Sequence, residues 1–80
     1  MWEERLSRIF GIIGYLSPHS QVTIRELAQD YEVSTRTIKR DIEMLQDAQL
    51  GVFYDGESIK MSRTGYKKVR SWIIGSTILS

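Results

Sequence analysis

Eighty residues with 41% apolar and 26% charged side chains have the composition of an ordinary folded domain, with room for one core and not two. No cysteine is present, which excludes disulfides and thiolate metal sites, and the single histidine, His19, has no second imidazole to share a metal with. The formal net charge of +1 hides a segregation that bears on partners: Arg36, Lys39 and Arg40 stand in a stretch without acids, as do Lys60, Arg63, Lys67, Lys68 and Arg70, while Asp41, Glu43, Asp47, Asp55 and Glu57 fill the interval between them.

The start, Met-Trp-Glu-Glu-Arg, lacks the basic opening, apolar block and cleavage site of a secretory signal. The apolar-leaning stretch from Trp72 to Leu79 is too short and too broken to span a bilayer. A cytoplasmic protein without a membrane partner is therefore expected.

The first helix is predicted over about residues 3–17, with Glu3 and Glu4 at the positive end of its dipole and Pro18 ending it. Trp2, Leu6, Ile9, Ile13 and Leu16 form its central apolar stripe, with Phe10 and Ile12 on the two shoulders. Those shoulders either wrap the small core or meet a partner subunit. Gly11 and Gly14 each cost roughly 1 kcal/mol in a helix interior, which close approach of another helix would offset. Residues 17–22 read as a link in which His19 has no role.

A second helix starts at about Ile24, because Thr23 and Glu26 form a capping box, and it ends near Tyr31. Its apolar stripe is Ile24, Leu27, Ala28 and Tyr31. After Glu32 and Val33, Ser34 caps a third helix that fades near Gln49, with Gly51 as its stop. Ile38, Ile42 and Leu45 recur at i, i+4 and i+7 on one face, and Arg36, Lys39 and Arg40 turn to the other. A link this short makes the two helices meet steeply, as a helix-turn-helix unit does. An anchored helix with hydroxyls and cations in its first two turns suits the major groove, where base edges offer acceptors and methyls and the helix N-terminus attracts phosphate. The plainer alternative is that Lys39 and Glu43, at i and i+4, form a surface ion pair.

Beyond Gly51 the period changes. Val52-Phe53-Tyr54 and Glu57-Ser58-Ile59-Lys60-Met61 read as two strands joined by an Asp55-Gly56 turn, with the tip made acidic by Asp55 and Glu57. A last helix runs over about residues 63–74, capped by Ser62 or Thr64, with Tyr66, Val69 and Ile73 on one face and Trp72 adjoining. That face either packs on the first helix or meets its twin in a dimer. The tail from Gly75 to Ser80 is equally a chain end or the beginning of a second domain.

The run Val33-Ser34-x-Arg36-Thr37-Ile38-x-Arg40-Asp41-Ile42-x-x-Leu45 resembles the helix-turn-helix signature of DeoR-type bacterial transcription regulators, and is similar to the N-terminal domains of regulators that carry a WYL domain. The likeness covers roughly residues 5–61. It departs at Glu32, where such regulators often have Gly in a turn that wants a positive φ, at a cost of about 1 kcal/mol. The resemblance implies an α+β, mostly helical winged helix-turn-helix domain over residues 1–80. Its helix-turn-helix would cover about 24–48, its wing about 52–61 and its C-terminal helix about 63–74.

The function so implied is a sequence-specific, double-stranded DNA-binding transcription regulator of bacterial or phage type. Its DNA-binding candidates are Ser34, Thr35, Arg36, Thr37, Lys39 and Arg40 on the third helix, with Arg25, Tyr54, Lys60 and Arg63 around it. A homodimer through the C-terminal helix would place two copies on half-sites, with Phe10, Tyr66, Val69, Trp72 and Ile73 as candidate interface residues. The signal would then arrive through an effector-sensing partner or a further C-terminal domain. No enzyme is expected, since no paired nucleophile and base, phosphate loop or metal constellation is present, and no cofactor is implied. The competing reading is a winged helix used as a protein-docking module that never touches DNA.

Overall fold

A computed structural model describes residues 2–79 of the chain, and the side chains of residues 3–72. The elements run α1 (Trp2–Tyr15), α2 (Ile24–Asp30), α3 (Thr35–Asp47), β1 (Val52–Asp55), β2 (Ser58–Met61) and α4 (Arg63–Leu79). Three helices, an antiparallel two-stranded wing and a closing helix make a winged helix-turn-helix. The expected order is right throughout. Among the boundaries, α1 stops at Tyr15 and not at residue 17, and α4 continues past residue 74 to Leu79.

Helix α1 is rotated from its expected phase. Ile12, placed on a shoulder by the sequence, is fully buried with Leu16, while Leu6 is 43% and Phe10 66% exposed. The inward stripe is Arg8, Ile9, Ile12, Ile13 and Leu16, a rotation that brings Arg8 to an acid on α3 while keeping four aliphatic side chains against the core. Gly11 lies against α2: a β-carbon there would collide with the Tyr31 hydroxyl. The close approach that could offset its helix cost is thus to α2. Gly14 has nothing within 4 Å and gains no such compensation. Nearby, the Tyr15 hydroxyl donates to Asp30 Oδ2 at 2.7 Å, a second tie between α1 and α2.

Helix α2 opens on half of the expected capping box, since the Glu26 carboxylate meets the Thr23 hydroxyl and not the Thr23 amide. The Glu26 amide donates to Thr23 Oγ1 at 3.1 Å, and the Thr23 hydroxyl donates to Glu26 Oε1 at 3.1 Å. The turn into α3 is tight, with the Val33 amide donating to the Ala28 carbonyl at 3.0 Å. Glu32 adopts φ 52, the left-handed conformation that favours Gly, and the turn forms in spite of it. At the other end of α3 the stop is Gln49 and not Gly51. Gln49 turns left-handed at φ 59 and its amide donates to the Gln46 carbonyl at 3.0 Å. Gly51 instead opens the wing, where its carbonyl accepts from the Ser62 amide at 2.8 Å.

The hairpin register pairs Val52 with Met61 and Asp55 with Ser58, so the connecting residues are Gly56 and Glu57. The turn lies one residue later than Asp55-Gly56. Gly56 has φ +64 and Glu57 does not enter the positive region, the sign pattern of a type II′ turn with Gly first. The link between α1 and α2 covers the outer edge of β2. The Ile59 amide donates to the Val22 carbonyl at 2.8 Å and the Met61 amide to the Ser17 carbonyl at 3.1 Å. Ser62 caps α4, its Oγ accepting from the Gly65 amide at 3.1 Å. Gly65 sits where any side chain would strike the Leu50 carbonyl, which holds α4 close to the end of the α3 segment.

Candidate nucleic-acid interface

The third helix is seated from below. Ile38 and Ile42 are fully buried and Leu45 is nearly so, which fixes which side of α3 can face outward. Its first turn is closed by Ser34, whose Oγ accepts from the Thr37 amide at 3.2 Å and lies 3.0 Å from Thr37 Oγ1. Thr35, Arg36, Lys39 and Arg40 are exposed, and Thr37 is half-buried. Lys39 makes no ion pair with Glu43 among the described residues, where the carboxylates in ion-pair contact with cations are Asp41 and Asp55. The cationic tip predicted from spacing is therefore an open surface.

The wing flanks this helix, with β1 lying against α3. Tyr54 on β1 is 44% exposed, and its phenol is held above its ordinary pKa by partial burial and by the charge of Glu43. It therefore stays a neutral hydroxyl that can donate. Arg25 is exposed on α2 and Arg63 is exposed at the opening of α4. Lys60 is placed differently. Its Nζ donates to the Ser20 carbonyl at 2.9 Å and stands 3.5 Å from Asp55 Oδ2, with 17% of the side chain exposed. The ammonium binds the wing to the link before α2 and is not presented to a ligand.

The residues that the sequence reading missed are Arg8 and Asp41. Asp41 is 1% exposed. Arg8 donates to it twice, Nε to Oδ2 at 2.5 Å and Nη2 to Oδ1 at 3.2 Å, and this pairing raises the Arg8 pKa against the opposing cost of burial. Arg5 Nε lies 3.7 Å from Asp41 Oδ1. A signal was available: Asp41 falls three residues after Ile38 and four before Leu45, on the aliphatic face, where an acid needs a cation brought to it. Its partner could not be named from spacing, since the two residues meet only through the tertiary fold.

The candidate interface residues divide. Val69 is buried in the core, and Tyr66 packs against that core with the Arg70 guanidinium 5.8 Å above its ring. Val69 is thereby consumed by the protein's own interior, one of the two destinations open to the C-terminal face. Phe10 and Trp72 are exposed, at 66% and 55%. The Ile73 side chain lies outside the described residues.

A seated helix with a cationic outer side, entered by a tight turn and flanked by a β-hairpin, defines the winged helix-turn-helix class. Within it, the family model of the HTH domain (HTH_11) matches residues 8–67, and the chain belongs to that family. Neither curated proteins nor solved structures give a match. The family is one of DNA-binding domains, so the partner class is DNA. Among the described residues no helix is long and apolar enough to cross a membrane, and no group of three or more acidic or imidazole side chains could hold a metal ion.

Proposed function

We propose that this protein is a sequence-specific regulator of transcription of the DeoR type, from a bacterium or phage, that acts in the cytoplasm by occupying duplex DNA with α3 in the major groove. The observation that carries the reading is the pairing of opposite faces on α3. Ile38, Ile42 and Leu45 hold the underside, while Thr35, Arg36, Lys39 and Arg40 stand exposed on the same helix. A well-formed Arg-guanine contact contributes about 1 to 3 kcal/mol of discrimination between bases. One module offers few such contacts, so useful affinity calls for two copies on half-sites about one helical turn apart. Exposed Phe10 and Trp72 supply apolar surface for that association.

Fluorescence anisotropy against random duplex at two salt concentrations tests the reading. Binding should weaken steeply with salt, and the double variant Arg36→Ala, Lys39→Ala should lose it while melting at the parental temperature. A folded double variant that binds like the parent would move the interface elsewhere on the surface. For the assembly, light scattering of the parent and of Trp72→Ala should show a dimer that the substitution weakens.

A further inference from the structure

We propose that the cleft of about 210 Å³ between α1 and α3, lined by Arg5, Arg8, Thr37, Arg40 and Asp41, binds a backbone phosphate of duplex DNA, so that α1 grips the same duplex as α3. This rests on the reading of α3 as the groove-facing helix. Asp41, the acid of the cleft, does not oppose an anion there, because it is 1% exposed and already accepts two bonds from Arg8. Three guanidiniums against one carboxylate leave a surplus of two positive charges, carried by Arg5 and Arg40. Arg5 is held to Asp41 only by a 3.7 Å contact, with 47% of its side chain exposed. Arg40 is exposed and has no carboxylate in ion-pair range among the described residues. Both planar forks can therefore turn to a phosphodiester, for which bidentate guanidinium geometry is suited.

The third donor is Thr37. Its hydroxyl lies 3.0 Å from Ser34 Oγ, which also accepts from the Thr37 amide. Either hydroxyl can donate in that pair, so Thr37, which lines the cleft, is able to offer its proton to a phosphate when Ser34 is the donor.

Location supports the assignment. Arg40 lies one turn beyond Arg36 on the exposed face of α3, and its side chain lines the cleft together with Thr37 and Asp41 on the side toward α1. A helix in a groove about 12 Å wide is flanked by sugar-phosphate strands. With α3 in the groove as proposed, the strand on the α1 side would run over the cleft. On the other side of Arg8, a separate pocket is lined by Glu3, Glu4, Ser7, Tyr31 and Val33, and its carboxylates repel a phosphate. The surface of α1 is thus attractive at Arg5 and repulsive at Glu3 and Glu4.

The test is Arg5→Gln in the full chain, measured against a duplex that the parent binds, at several salt concentrations. Loss of one phosphate contact should flatten the slope of log K against log salt by about 0.9 and weaken binding about eightfold at 100 mM salt, equally for every duplex sequence. Arg5→Lys should keep the slope and lose only part of the affinity. Ethylation of single phosphates should identify one position that weakens the parent more than it weakens Arg5→Gln, in which Arg40 and Thr37 still reach that phosphate. Melting curves of both variants serve as the folding control, and Arg5→Ala, which also removes the charge, carries the ethylation test should Arg5→Gln be unstable. An unchanged slope and affinity in folded Arg5→Gln, with a parent that binds steeply with salt, overturns the cleft and leaves the α3 reading standing. A parent that binds no duplex overturns both.

Discussion

Helix α3 and the wing each tie one charged side chain into the body, and they do so with different consequences. In α3 the tied group is an acid on the underside, Asp41, and the cations on the upper side stay exposed. In the wing the tied group is the cation itself, Lys60, and what remains at the tip is acidic: Asp55 with 68% of its side chain exposed, and exposed Glu57. Attraction for phosphate is thereby concentrated on the helical side of the molecule. The backbone repeats the contrast. Both ends of α3 turn on side-chain-bearing residues with positive φ, Glu32 and Gln49, whereas the wing begins and turns on Gly51 and Gly56. The helix segment carries conformational strain that the wing avoids.

The largest effect should come from separating the buried pair under α3. Arg8→Met leaves Asp41 almost wholly buried beside a single 3.7 Å contact to Arg5. Removing one partner of a buried pair costs about 3 to 5 kcal/mol, and the low end applies because Arg5 is near and Arg8 retains some solvent. Urea denaturation of Arg8→Met should show a loss of about 3 kcal/mol; a loss below about 1 kcal/mol would mean that the pair does not anchor the helix.

What could be read in advance divides along the same line. Thr23 and Glu26, Ser34, the Ile38-Ile42-Leu45 stripe and the two strands were legible because each rests on neighbours a few residues apart, where local stereochemistry decides. The exposed cations of α3 followed from the same helical arithmetic. The Arg8 contact to Asp41 and the Lys60 contact to Ser20 were not legible, since each spans more than thirty residues and depends on how the helices settle. The phase of α1 was open for a related reason, since its apolar side is wide enough to accept more than one rotation. Gln49 took the role expected of Gly51, a swap that helix-stop propensity could not foresee because it favours Gly at a left-handed position.

The strain contrast has opposite signs in its two halves. Glu32→Gly should stabilise the fold by about 0.5 to 1 kcal/mol, the left-handed penalty removed less the greater entropy that Gly loses on folding. Gly56→Ala should destabilise it by about 1 kcal/mol although nothing lies within 4 Å of the new methyl, since φ +64 alone opposes it. Thermal melts of both variants check the pair, and shifts of the same sign would remove the distinction between helix and wing. Lys60→Met should cost about 1 kcal/mol, the worth of its bond to the Ser20 carbonyl, and change duplex affinity less than about twofold. A larger affinity loss at unchanged stability would show that Lys60 leaves the link and reaches DNA.

The smallest effect on the fold should accompany the most direct probe of the wing. Glu57 is exposed beside Gly56, so Glu57→Lys should alter stability by less than about 0.5 kcal/mol. It reverses the sign of the tip. Exposed charges act over about 8 Å at physiological ionic strength, so the reversal is felt only if the tip runs that close to a phosphate. With α3 in the groove as proposed, a wing beside it would follow the duplex into this range, and the acid at its tip would then limit affinity. Salt titrations of Glu57→Lys should accordingly show tighter binding and a slope steeper by about 0.9, one added phosphate contact. An unchanged slope would place the tip out of reach of the duplex and leave the helical side to hold the DNA alone.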